Sequence, residues 1–547
     1  MDNLLVVIKL RDSIVVPHEY ESNPTVKLIL GKDFFKAQLS RLRDRFNPDR
    51  PVLPRRPVAK DLTFGNTIIP KSPSISYVRR GYDTNGFKNV VARLKPVLSQ
   101  SPLASLYAFS DPRKYLRQSA ASLNILNFFA FTSTSLPETQ GPATDRLEFL
   151  STMPEVEDWW YEGEMPLLTG QSPYSPLLSR PLPEPLRGVP PTTLLSADAS
   201  TVPSATAATT TNFYYQCLGA DSFPHKGRHI NVVDAEDYCA NPTGHSYLST
   251  LSATLVGNPV GGTLKLKSHF YNTLGVLFAK PPTPTSEPIN GLVPEAGLLA
   301  YPFQPGNAND PITTVFKNFA ANFKLRWLVT NAITEEKAHV LLIERSVKLP
   351  IEVGREFRFP VEVLPDMRQL FIKCAQKGII VVQPASWQPA TWPSGKPLPT
   401  LEEAMKAVTV VLPKQKMTNF SEPFTVREVG YSGSASILVG SVTATGDIQP
   451  LANQGELIDL YLWGEHIRSL GVPNSFEDFS YASAASAVTA GIVAALQSAA
   501  LANNKPLLTL PQLKQALKQH FRPTDGSGVF KSASLNEVWD TLLTINA

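Results

Sequence analysis

The sequence predicts an α/β protein: a parallel sheet flanked by helices, preceded by a smaller α+β unit. Three observations point there. From about Phe213 onward, short apolar runs suited to buried strands alternate with stretches whose apolar residues recur at helical spacing. The stretch FSYASAASAVTAGIVAALQSAALA, Phe479 to Ala502, carries no charge and is rich in alanine, serine and threonine, so a helix made of it can lie close against a sheet. Proline is dense between Met165 and Pro191, followed by a Ser/Thr/Ala-rich tract, which reads as a semi-rigid linker. The expected layout is a first unit over 1–165, a linker over 166–212 and a larger domain over 213–547.

In the first unit Leu4–Leu10 suits a strand, and Lys32–Arg45 suits a helix through Phe34, Phe35, Leu39 and Leu42. Phe87–Leu98 is a second helix and Leu103–Phe109 a strand. Asp145–Trp160 reads as a short helix running into an extended segment, with Trp159, Trp160 and Tyr161 as packing residues.

In the larger domain Arg228–Val233 is a short strand ending at Asp234, and a helix runs from Ser268 through Ala279. Gly291–Phe303 supplies a loop and a strand. Ile312–Arg326 is an amphipathic helix begun by Asn309-Asp310-Pro311, a cap followed by proline in the first turn. His339–Glu344 is a buried strand; Asp366–Lys377 is a helix stopped by Gly378, and Ile379–Val382 is the next strand. Ser436–Val442 and Glu456–Tyr461 add two more strands, and Leu508–His520 closes the domain as an amphipathic helix.

Composition narrows the function classes. With 51 Lys+Arg against 47 Asp+Glu and no basic run, a nucleic-acid partner is not expected. Three cysteines make no disulfide framework; Cys217 and Cys239 are the only near pair, and such usage points weakly to a reducing compartment. The start, MDNLLVVIKLRDSIVV, lacks the basic region and long apolar run of a signal peptide, so a cytoplasmic location is expected, with export by a non-Sec route left open. Phe479–Ala502 is long enough to span a membrane, but its small polar residues favour a buried helix, and no membrane partner is expected.

Ser483 opens that helix. A serine there meets first-turn N–H groups and the positive end of the helix dipole, both suited to an attack that creates an oxyanion. The run Ser483-Ala-Ala-Ser-Ala-Val-Thr-Ala-Gly491 resembles the serine motif of the subtilisin-like serine proteases, G-T-S-x-[AS]-[AS]-P-x-[VS]-[AS]-G. Asp234, ending an apolar strand, resembles the family's V-I-D-x-[EG]. His269, with Gly275 six residues on, resembles H-G-T-x-V-x-G. GLVPEAGLLAYPF, HVLLIE with GIIVVQPASW, and ILVGSVTATG with ELIDLYLWGEHIRSLG follow in the family's order, so the resemblance spans roughly 215–525.

The resemblance implies a subtilisin-like fold and a serine endopeptidase made as a zymogen. Ser483 is then the nucleophile, His269 the general base and Asp234 the residue that holds the imidazole, in the chain order known for such triads. It implies a protein or peptide substrate, and a propeptide-like first domain acting as intramolecular inhibitor. Cleavage is then expected in the linker, because exposed unfolded backbone is what proteases cut. No cofactor is expected; calcium is in keeping with the family, but no site is readable. The oxyanion-hole asparagine falls on Trp387, with Gln383 and Gln388 as alternative donors. The specificity pocket falls on Arg345, Ser346, Pro384, Ala385 and Ser386, and a charge at Glu344 or Arg345 facing it would select the substrate.

Several positions depart from the motifs. Phe270-Tyr271 replaces the Gly-Thr after the histidine, Tyr481-Ala482 the Gly-Thr before the serine, and Ala487 the proline. These keep open a second reading, a catalytically degenerate subtilisin fold serving as a binding or regulatory scaffold. A non-proteolytic acyl hydrolase finds no G-x-S-x-G elbow. His225, His229, Cys239 and His245 form an incomplete zinc-like set, and His245 is the competing candidate for the base.

Overall fold

The computed structural model describes residues 4–11, 26–29, 84–98, 106–109, 128–132, 147–163, 165, 213–235, 243–255, 268–283, 286, 288–300, 320–335, 337–352, 355–388, 397–412, 415–472, 474–521 and 532–545. The expected helix at 32–45, the linker at 166–212, the helix start at 309–311 and Cys239 lie outside the described residues. The chain divides into two compact units, Met1–Glu162 and Gly163–Ala547.

The first unit is α+β. Strands β1 (Leu5–Leu10), β2 (Val26–Ile29), β3 (Leu106–Phe109), β4 (Phe128–Thr132) and β5 (Val156–Glu162) form a sheet of order β2-β3-β4-β1-β5. Strand β1 is antiparallel to both β4 and β5, which explains its nearly unbroken apolar run LVVIKL: a strand paired on both sides is buried. Helix α1 (Thr84–Leu98) buries Phe87, Val90, Val91 and Leu94, one stripe at helical spacing. The aromatic run is internal: the Trp159 indole donates to Ser151 Oγ and that of Trp160 to Glu162 Oε2.

The second unit opens with the short helix α2 (Phe213–Cys217) and carries strands β6 (Asn231–Asp234), β7 (Ala253–Leu255), β8 (Gly297–Ala300), β9 (Val340–Leu342), β12 (Ile380–Pro384), β15 (Ile437–Val442) and β16 (Leu460–Trp463). Among the described residues they make a parallel sheet of order β16-β15-β12-β9-β6-β8-β7. Helices α3 (Ser268–Phe278), α4 (Ala320–Glu335), α5 (Pro365–Gln376), α6 (Leu401–Val411), α7 (Tyr481–Ala502), α8 (Leu510–His520) and α9 (Leu535–Ile545) complete the unit, so the expected α/β class is the one observed. By length and composition α7 passes for a membrane span, yet 94% of its apolar window is buried, against β15, β12, β16, β9 and α3. Two glycines permit close helix packing, of α7 on Leu292 and of α3 on Leu470. A Cβ at Gly491 on α7 would come within 2.6 Å of Leu292 Cδ1, and one at Gly275 on α3 within 2.8 Å of the Leu470 backbone nitrogen.

The structure corrects several element expectations. Helix α4 runs on to Glu335 instead of ending at Arg326, because Arg326 is no polar boundary: it is fully buried and bonded to Asp366 through both Nε (2.6 Å) and Nη2 (3.2 Å). The strand expected at 456–461 begins only at Leu460. The Leu457 N–H is taken by the Glu402 carboxylate at 2.7 Å and Asp459 turns inward to accept from the Leu438 N–H at 2.9 Å, so these residues cap the sheet. Hairpins β10–β11 (Ser346–Glu352, Arg355–Pro360), β13–β14 (Phe424–Val426, Val429–Tyr431) and β17–β18 (Ile467–Gly471, Ser475–Phe479) were not foreseen. Among the described residues Cys217 and Cys374 are free thiols; burial pushes the Cys217 thiol up to about 12.

Candidate active site

Open parallel sheets gather chemistry at the C-terminal ends of their strands, and here the central strands β6, β9 and β12 deliver it. Asp234 is the last residue of β6 and 2% exposed. It lies in register with Leu342, the last residue of β9, whose carbonyl accepts from the Ala235 N–H at 3.0 Å. Two residues past Leu342 the chain places Glu344, which is wholly buried.

His269 stands in the first turn of α3 and is 6% exposed. Its Nδ1 is 3.9 Å from Glu344 Oε2. The same oxygen accepts from Thr273 Oγ1 at 2.8 Å, one helical turn beyond the histidine. The edge of the His269 ring meets Phe479 at 5.2 Å between centroids and 89° between planes. Phe479 ends β18, Ser480 caps α7, and Ser483 is the third residue of that helix, 1% exposed. The N–H of Ser483 therefore belongs to the first turn, whose N–H groups lie outside the helical ladder.

Between them sits Tyr481, with φ of +69°, a conformation that side chains other than glycine adopt at a cost. Its N–H is held by the Gly464 carbonyl at 2.5 Å, and its ring stacks on Trp387. This position is the glycine of the Gly-Thr pair in the motif that the sequence resembles, which gives the physical reason for a glycine there.

The loop after β12 completes the site. Ser386 also has positive φ, +81°. Asn453 pins the loop: its N–H donates to the Ser386 carbonyl at 3.1 Å and its amide to the Ala385 carbonyl at 2.7 Å. Trp387 is bridged antiparallel to Ala452, is 7% exposed, and has the Arg358 guanidinium 4.9 Å above its ring. Its indole N–H is buried and meets no acceptor among the described residues; the buried Ser386 hydroxyl is likewise unpartnered among them. The other two candidate donors are engaged. Gln383 donates to Glu362 Oε2 (3.1 Å) and Ser436 Oγ (2.6 Å), and Gln388 to Asn453 Oδ1 (2.6 Å) and the Arg358 carbonyl (3.2 Å).

The residues expected to wall a pocket are closed over. Arg345, Ser346, Pro384, Ala385 and Ser386 are all buried. Arg345 donates to the Met165 carbonyl at 3.1 Å. Asn322 brackets the same segment, donating to the Gly163 carbonyl at 2.8 Å and accepting from the Met165 N–H at 3.0 Å. Gly163 and Met165 of the same unit are thus held by Asn322, and Met165 by Arg345 as well.

His245 sits apart from this constellation, among Tyr247, Tyr271 and Phe476, and burial holds its imidazole below the ordinary range. Among the described residues no group of three or more His, Cys, Asp or Glu side chains is placed to hold a metal ion. The site residues that sequence reasoning missed are Thr273, Arg358 and Asn453, whose roles depend on tertiary contacts alone. Glu344, expected as a charge facing the pocket, lies instead beside His269.

No protein-family model matches the chain, and no curated protein matches it. Among solved structures it is similar to the prenylagaramide maturation protease PagA (12% identity, TM-score 0.41, 59% of this chain and 97% of that one). It is similar also to the self-cleaved protease domain of PatA (15%, 0.40, 58% and 98%). A third likeness is to fervidolysin from Fervidobacterium pennivorans, a keratinolytic enzyme related to subtilisin (12%, 0.47, 84% and 60%). Likenesses of this size carry no inference about what this chain acts on.

Proposed function

We propose that the chain is a serine endopeptidase. Ser483 Oγ attacks the scissile carbonyl carbon while His269 takes the hydroxyl proton, and Asp234 holds the imidazole. The carbonyl electrons move to oxygen, and the oxyanion is received by the Ser483 N–H and the Trp387 indole N–H. Collapse expels the amine, which leaves with the proton from His269; water then releases the acyl group by the same steps.

The observation that carries this reading is the Trp387 indole N–H: buried, without an acceptor among the described residues, and stacked on Tyr481 two residues before Ser483. Leaving a buried donor unmade costs about 1–3 kcal/mol, so a group kept that way suits an acceptor that arrives with the substrate. The holding of Gly163 by Asn322, and of Met165 by Asn322 and Arg345, supports synthesis as a zymogen, with the cut falling after Met165 in the 166–212 stretch. Intact mass of the wild type beside Ser483→Ala tests this: a fragment cut within that stretch is expected in the wild type alone, and two full-length proteins speak against it.

The second reading, a binding scaffold on a degenerate site, is favoured by one feature. The Trp387–Tyr481 stack is bulky where the resembling family carries asparagine and glycine. A chain that stays uncut and hydrolyses no peptide, yet folds normally, is its expected outcome.

A further inference from the structure

Glu344 is a buried carboxylate beside His269 that the triad reading leaves unused. It is fully buried, its Oε2 lies 3.9 Å from His269 Nδ1, and that oxygen is oriented by the Thr273 hydroxyl at 2.8 Å. A carboxylate removed from water requires donors or a positive partner. Thr273 supplies a donor. A positive charge arises at His269 when the ring takes a proton, which the proposed reaction does in each half.

We infer that Glu344 is a positioning residue for His269. Its carboxylate lies within ion-pair distance of Nδ1, and its charge stabilises the imidazolium as that forms. Asp234 ends β6 in register with Leu342, the last residue of β9, and Glu344 lies two residues past Leu342, so the two carboxylates follow from neighbouring strands. This rests on the endopeptidase reading for its consequence, though not for its geometry.

The test uses the full chain with ¹⁵N-labelled imidazoles. His269→Ala identifies the His269 signals. Glu344→Gln is expected to shift those signals and to slow fluorophosphonate labelling of Ser483 by about 10²-fold, the low end of what a positioned acid–base partner contributes. Glu344→Asp, which retains the charge on a shorter stem, should recover part of the labelling rate, which a purely space-filling role does not predict. Should Glu344→Gln fail to fold, Thr273→Val, which removes the orienting hydroxyl, should shift the same signals less far. Unmoved His269 signals with undiminished labelling overturn the inference. A wild type that takes no label before or after cutting within residues 166–212 overturns the endopeptidase reading instead. The imidazole signals then decide Glu344 by themselves: moved in Glu344→Gln if it holds the ring, unmoved if it does not.

Discussion

Trp387 and Tyr481 stack with their centroids 5.4 Å apart and their planes 24° from parallel, tying the loop after β12 to the start of the Ser483 helix. Each partner adjoins a strained backbone: Ser386, just before Trp387, at φ +81°, and Tyr481 itself at φ +69°. Strain of this kind persists only where surrounding structure over-determines it, and it collects at working sites.

Trp387→Phe keeps a ring for the stack and removes the indole N–H. If that N–H receives the oxyanion, kcat falls by about 10²–10³ with KM nearly unchanged. Steady-state kinetics on a peptide substrate decides it, and an unchanged kcat assigns the indole a packing role only.

Tyr481→Ala and Tyr481→Gly both lose the stack, but only glycine adopts the left-handed backbone freely. The glycine variant should therefore be the more stable of the two by about 1 kcal/mol, against the usual helix preference for alanine. Denaturant midpoints of the pair check this; an alanine variant at least as stable contradicts the strain.

His245 makes stability depend on pH. Its Nδ1 accepts from the Tyr247 N–H at 3.3 Å and its Nε2 lies 3.2 Å from the Ser475 carbonyl, a neutral ring donating through Nε2. Burial lowers its folded pKa below the unfolded value, with the Ser475 contact working weakly the other way. The unfolded chain then binds the proton more readily. The contribution is present above the unfolded pKa of about 6.5 and is lost as pH falls toward and through the folded pKa. In His245→Phe the thermal midpoint should vary less with pH over about pH 5–7 than in the wild type.

Asn322→Ala removes both side-chain bonds to residues 163 and 165. Limited proteolysis should then cut near Met165 sooner than in the wild type. Equal cutting rates would mean that Asn322 does not hold the segment.

Much of this was legible in the sequence. Asp234, His269 and Ser483 were placed at a strand end and two helix starts, because apolar strands and a charge-free small-residue helix announce themselves by composition. The β10–β11 hairpin is legible too, in the alternating buried Val347 and Leu349 facing Phe357 and Phe359. Other features were not legible. That Gln383 is spent on Glu362 and Ser436, that Glu344 faces His269, and that Tyr481 is left-handed are all set by contacts between residues distant in sequence. Arg326 misled for a related reason, since its buried partner Asp366 lies forty positions on.

The most direct test of the proposed chemistry is fluorophosphonate labelling of the wild type and of Ser483→Ala, before and after proteolytic cutting within residues 166–212. We expect a label on Ser483 in the wild type, stronger after cutting, and none in Ser483→Ala. Equal labelling of both proteins, or none on either in both states, would contradict Ser483 as a nucleophile and leave only the fold.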